Sequence, residues 1–95
     1  MTKEELLEKA NSLPLAPGVY LMHNKEGTVI YVGKAKKLKN RVSQYFQAGR
    51  GHNLKTQTMV SLVDEFDTII VGSEFEALVL ENALIKQYMP RYNIL

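Results

Sequence analysis

Apolar positions along this chain change period several times, and each change marks an element. Thr2 followed by Glu5 is the pattern of a capping box, with Leu6, Leu7 and Ala10 as the apolar stripe behind it. This predicts a first helix ending near Asn11 or Ser12, ahead of Pro14. Two runs rich in β-branched and aromatic residues follow, Val19 to Met22 and Val29 to Val32. The polar Asn24-Lys25-Glu26-Gly27 between them reads as a hairpin turn. Ala35, Leu38, Val42 and Phe46 then recur at helical spacing, as do Met59, Leu62, Val63 and Phe66 in a segment from Leu54 to Phe66. Thr68 to Val71 is a third strand, which Gly72 and Ser73 end. A long helix runs from about Glu74 to Tyr88, stopped by Pro90. The order α-β-β-α-α-β-α describes an α+β domain whose small sheet needs helices to cover it.

Composition narrows this little. Ninety-five residues, 45% hydrophobic and 23% charged, suit one soluble domain. Without cysteine the chain has neither a disulfide nor a thiolate metal site. MTKEELLEK is too charged for a signal peptide, and no apolar run approaches a bilayer span. A cytoplasmic domain is the expectation.

Charge is more informative. The net +2 conceals a segregation: no acidic residue lies between Gly27 and Val63, where Lys34, Lys36, Lys37, Lys39, Arg41, Arg50 and Lys55 fall. Between Thr56 and Ile85 there are only acids: Asp64, Glu65, Asp67, Glu74, Glu76 and Glu81. The basic stretch is either a solvated helix face or a binding surface for an anionic partner such as a phosphate backbone.

Glu81 is the odd residue of the long helix. Ala77, Leu78, Leu84 and Ile85, its neighbours at three and four residues, are all hydrocarbon. A carboxylate buried there needs compensation, from a basic side chain of another element or from a divalent cation. One carboxylate plus waters is the way Mg²⁺ usually binds near phosphates. If the helix before residue 46 begins at Lys34, then Lys34, Arg41 and Tyr45 project within about 40° of one another. Arg41 suits a bidentate phosphate clamp or an ordinary surface position. Tyr20 and Tyr31 sit in mid-strand, where core aromatics are the common case. His23 and His52 have no spacing that pairs them with a nucleophile or metal cluster, and no phosphate-loop, serine-hydrolase or zinc-protease motif occurs.

Gly18-Val19-Tyr20, Tyr31-Val32-Gly33, Arg41, Glu81 and Asn93, in that order, resemble the GIY-YIG nuclease family. Valine replaces isoleucine in both signature triplets. APGVYLM, YVGKAKKLKNRVSQYF and EALVLENALIKQYMPRYN resemble its bacterial excinuclease (UvrC) subgroup, across Ala16 to Asn93. The resemblance implies a small three-stranded antiparallel sheet flanked by helices. It also implies phosphodiester hydrolysis with one Mg²⁺ or Mn²⁺ on Glu81. Tyr31 would orient or deprotonate the attacking water, with Tyr20 nearby. Arg41 would hold the scissile phosphate and Lys34 assist, with Tyr45 and Asn93 lining the site. Gly33 would admit close approach of DNA, and Lys36, Lys37 and Lys39 would contact it.

In that subgroup the domain makes the 3′ incision beside a lesion in nucleotide excision repair. The chain is then expected to be the N-terminal fragment of a longer protein. Its substrate would be double-stranded DNA with a lesion or nick, UvrB would bind through regions outside residues 1–95, and the isolated domain would be a monomer without membrane contact. A stand-alone GIY-YIG nuclease, a shorter excinuclease homologue and a non-catalytic DNA-binding module are the competing readings.

Overall fold

The computed structural model describes residues 1–49 and 51–94, so Arg50 of the basic segment lies outside the described residues. Helix α1 (Lys3–Asn11) starts at a complete capping box: Glu5 N–H donates to Thr2 Oγ1 at 3.1 Å and Thr2 N–H donates to Glu5 Oε1 at 2.8 Å. Strands β1 (Gly18–His23) and β2 (Val29–Ala35) form the expected hairpin. Its turn is set by Asn24, whose Oδ1 accepts from Glu26 and Thr28 N–H, and by Gly27 at φ 80°, a left-handed conformation that favours glycine. Helices α2 (Leu38–Phe46) and α3 (Leu54–Leu62) precede β3 (Glu65–Ile70). Helix α4 (Glu74–Tyr88) is capped by Ser73 and ends at Met89 in the left-handed region, before a single turn, α5 (Arg91–Ile94).

The sheet has the order β2-β1-β3, antiparallel throughout. Its two faces are covered unequally. On one face α1, α2 and α3 bury Tyr20, Met22, Leu38, Val42, Phe46 and Phe66 in a single cluster. On the other, α4 alone covers Val19, Leu21, Val29 and Val32, with Ala77 as its only fully buried residue among those described. Among the described residues no helix is long and apolar enough to cross a membrane.

Several boundaries differ from the sequence reading, because non-local hydrogen bonds win over local patterns. Strand β2 runs on to Ala35, since Lys34 pairs with Val19 and Ala35 with Gly18. Lys34 is therefore on a strand, and its expected alignment with Arg41 and Tyr45 along one helix does not hold. Helix α3 stops at Leu62 instead of Phe66, because Asp64 N–H donates to His23 C=O at 2.8 Å and draws the chain into β3. The third strand thus starts at Glu65 and ends at Ile70. The helix expected from Ala35 begins only at Leu38, where Leu38 and Lys39 N–H donate to the carbonyls of Ala16 and Pro14.

Candidate active site

The edge of β2 is where both faces of the sheet meet, and the candidate residues gather there. Tyr20 lies directly opposite Gly33 across the β1–β2 ladder, and its ring leans over the glycine. A Cβ at residue 33 would stand 2.3 Å from Tyr20 Cζ and Oη. Gly33 is thus required by packing: a tyrosine, rather than DNA, occupies the space above it. Tyr20 is 1% exposed, and its hydroxyl shares a 2.7 Å hydrogen bond with that of Tyr45 on α2. Tyr31 is half-buried, with its ring centroid 6.2 Å from that of Tyr20.

Electrostatics tie these tyrosines to the two charged candidates. Burial raises the Tyr20 phenol well above the usual range, with the phenols of Tyr45 and Tyr31 adding and Arg41 opposing. Tyr31 is pushed up to about 12, first by burial, then by the Tyr45 phenol and the Glu81 carboxylate, again with Arg41 opposing. Glu81 from α4 and Arg41 from α2 therefore act on the same phenol from opposite sides of the sheet.

Glu81 is half-buried, not sealed in hydrocarbon as its sequence neighbours suggested. Leu78, one of those neighbours, is itself exposed, because α4 turns that side away from the sheet. Glu81 makes no hydrogen bond or ion pair with the described residues, so the basic partner weighed from the sequence is not found among them. No cluster of three His, Cys, Asp or Glu occurs among those residues either.

Beside this group lies a cleft of about 370 Å³, lined by Lys34, Lys36, Lys37, Asn40, Arg41, Gln44 and Glu74 among others. Lys36 sits 3.8 Å from Glu74 in an exposed pair, the kind that contributes little to stability. Lys34, Lys36 and Lys37 thus share a wall with Arg41. Lys39 does not: on α2 it is rotated about 200° from Arg41, and its backbone is tied towards Pro14. Lys36, itself exposed, belongs with the cleft.

Asn93 is tied to the backbone of β2. Its Oδ1 accepts from Val32 N–H and its Nδ2 donates to Val32 C=O, both at 2.8 Å. The amide stands in for a neighbouring strand and closes the free edge of β2 next to Tyr31. His52, set aside on spacing, stacks on Tyr45 with centroids 5.9 Å apart. Its Nε2 is 3.2 Å from the Gln44 carbonyl, an acceptor in the last turn of α2, so this nitrogen is the donor. No sequence signal marks His52, because its contact with α2 follows no helical or strand period.

Tyrosines from the sheet and α2, an arginine from α2 and a glutamate from α4 thus stand beside a lysine-rich cleft in a small α+β domain. The chain belongs to the UvrC-like GIY-YIG domain family, whose model matches residues 16–94. It is 64% identical over 83 residues to the UvrABC system protein C of Clostridium kluyveri, covering 87% of this chain and 13% of that protein. With the same protein of Clostridium botulinum (strain Hall) it is 56% identical over 91 residues, covering 96% and 15% respectively. The chain therefore spans only a small part of the length of these relatives. Among solved structures it is similar to the GIY-YIG N-terminal endonuclease domain of UvrC from Thermotoga maritima, bound to its catalytic divalent cation, magnesium. That likeness has a TM-score of 0.83 at 42% identity and covers 96% of this chain and 98% of the other.

Proposed function

We propose that this chain is a metal-dependent DNA endonuclease domain that hydrolyses a phosphodiester bond, the one making the 3′ incision beside a lesion in nucleotide excision repair. In this reading residues 1–95 are one domain of a longer protein, monomeric when isolated, which meets UvrB through regions outside them. Glu81 carries the proposal: a half-buried carboxylate without a partner among the described residues, close enough to Tyr31 to raise its pKa and across from Arg41. The donor set fits a single Mg²⁺ or Mn²⁺ taking one carboxylate oxygen, with waters and phosphate oxygens completing the shell. When bound, the cation would withdraw charge from the scissile phosphate and acidify water.

The remaining roles fall to the chain's own groups. Arg41 offers a planar fork to two phosphate oxygens. Tyr31, whose phenol burial pushes up to about 12 in the metal-free protein, would orient or deprotonate the attacking water through its hydroxyl. The Tyr20–Tyr45 hydrogen bond and the stacking of His52 together hold the Tyr45 ring in place. Lys34, Lys36 and Lys37 hold the strand through its phosphates, independent of base sequence.

Nicking of supercoiled plasmid with Mg²⁺, compared between wild type and Glu81→Gln, tests this. Expected is loss of nicking in the variant by about a thousandfold or more, with DNA affinity retained because the lysine cleft is intact. Equal nicking by both would remove Glu81 from the metal role. No nicking by either, with DNA still bound, would favour the non-catalytic DNA-binding module.

A further inference from the structure

The lysine cleft uses only part of the acid-free basic segment. Lys34, Lys36, Lys37 and Arg41 line it, and Lys39 is tied away towards Pro14. Lys55, in the first turn of α3, has no place in that cleft, yet it stands beside the tyrosines. With Tyr31, Tyr45 and Thr56 among others it lines a hollow of about 160 Å³. A larger hollow of about 520 Å³ joins the two. It shares Arg41 and Gln44 with the lysine cleft, and Tyr45 and Thr56 with the hollow of Lys55. The three form one trough that follows α2 past Arg41 and Tyr45. Neither of the two further hollows is lined by a carboxylate among the described residues.

We propose that Lys55 is a phosphate contact for the DNA strand beyond the scissile position, so that the strand runs from the lysine cleft past Arg41 and Tyr45 to α3. This rests on the DNA-cleaving reading of the site and extends it to an element outside that site. Arg41 and Tyr45 are one helical turn apart, about 6 Å along the axis of α2, while phosphates follow one another at about 3.4 Å per strand. The trough therefore spans only a few phosphates beyond Arg41. Lys55 is exposed, so its ammonium can follow a phosphate without reading a base. The contact is through the side chain and not the backbone at the start of α3, because Asn53 Oδ1 already accepts from Thr56 N–H at 2.8 Å. Cations on both sides of the Tyr31 and Tyr45 hydroxyls would hold the strand at two points and keep the phosphate at Arg41 from sliding between them.

The similar T. maritima domain was solved by itself, so residues 1–95 suit the measurement. Binding to a short mixed-sequence duplex, in EDTA to prevent cleavage, is followed by fluorescence anisotropy over a range of KCl concentrations. In Lys55→Ala the slope of log affinity against log salt should fall by about one unit. Lys37→Ala in the lysine cleft should lose as much, and the double variant about two units, since one strand touches both. Lys55→Arg should keep the slope, and Lys25→Ala on the hairpin turn should not alter it. An unchanged slope in Lys55→Ala beside a loss in Lys37→Ala overturns the inference and leaves the DNA-binding reading standing. Unchanged slopes in both remove that reading, and the inference with it. A double variant no lower than the single ones also overturns it, because the two lysines then do not hold one strand. So does a loss that Lys55→Arg shares, because the residue is then structural.

Discussion

The two faces of the sheet are built to different standards. Beneath it, three helices enclose Phe66, Leu38, Val42 and Met22 with essentially no exposure. Above it, one helix lies across the strands with a single fully buried residue among those described, Ala77. The site straddles this difference. Tyr20 and Arg41 stand on the closely packed side, whereas Glu81 rides on the helix that has one fully buried residue among those described. Rigid placement matters most for groups that orient by hydrogen bonds, since small displacements there cost rate. A single carboxylate holding a hydrated cation tolerates more freedom, because waters and phosphate oxygens complete its shell.

The contrast is most directly broken by truncation on each face. Phe66→Ala, fully buried and stacked on Phe46, should cost about 3–5 kcal/mol. Leu84→Ala, half-buried on the sheet side of α4, should cost about 1–2 kcal/mol. Urea denaturation midpoints for the two variants check the pair, and equal losses would mean that the faces are energetically alike.

Arg41→Ala should reduce nicking by about a hundredfold or more with the melting temperature little changed, since the side chain is exposed and its loss falls on the transition state. Arg41→Lys should recover only part of the rate, because an ammonium cannot make the planar two-point contact. Single-turnover nicking at saturating protein separates the rate from binding; full recovery with lysine would show that charge alone matters there.

Asn93→Ala exposes the unpaired Val32 N–H and C=O at the β2 edge and should cost about 1–2 kcal/mol. Hydrogen exchange at Val32 would rise in the variant. Unchanged exchange would return Asn93 to a role in the pocket alone.

The smallest expected effect is one of pH. The folded-state pKa of Tyr31 is raised to about 12 from an ordinary 10, so the folded protein keeps a proton that the unfolded chain releases. Its contribution to stability is complete below pH 10 and is lost as the pH climbs towards 12. In EDTA, wild type should therefore lose more stability between pH 9 and pH 11 than Tyr31→Phe does. Tyr20 is shifted in the same direction and keeps part of the trend in both proteins. Identical pH dependence of the urea midpoints would show that Tyr31 titrates normally.

Wherever a signal is local, the sequence decided the outcome. Thr2 with Glu5 started α1, Ser73 and Pro90 bounded α4, and Asn24 with Gly27 closed the hairpin, since caps and turns are completed within a few residues. The order of Tyr20, Tyr31, Arg41 and Glu81 likewise identified the family before any geometry. Tertiary structure decided what depends on partners distant in the chain. Lys34 and Ala35 fit a helix as well as a strand, and pairing with Val19 and Gly18 made them strand. Gly33 is glycine because register lays Tyr20 across it, and Asn93 found its role only when α5 returned to β2. His52 reached Tyr45 through a loop whose path no periodicity encodes. Glu81 had hydrocarbon neighbours in sequence, yet burial is set by what packs against a helix, and α4 turns only one side to the sheet.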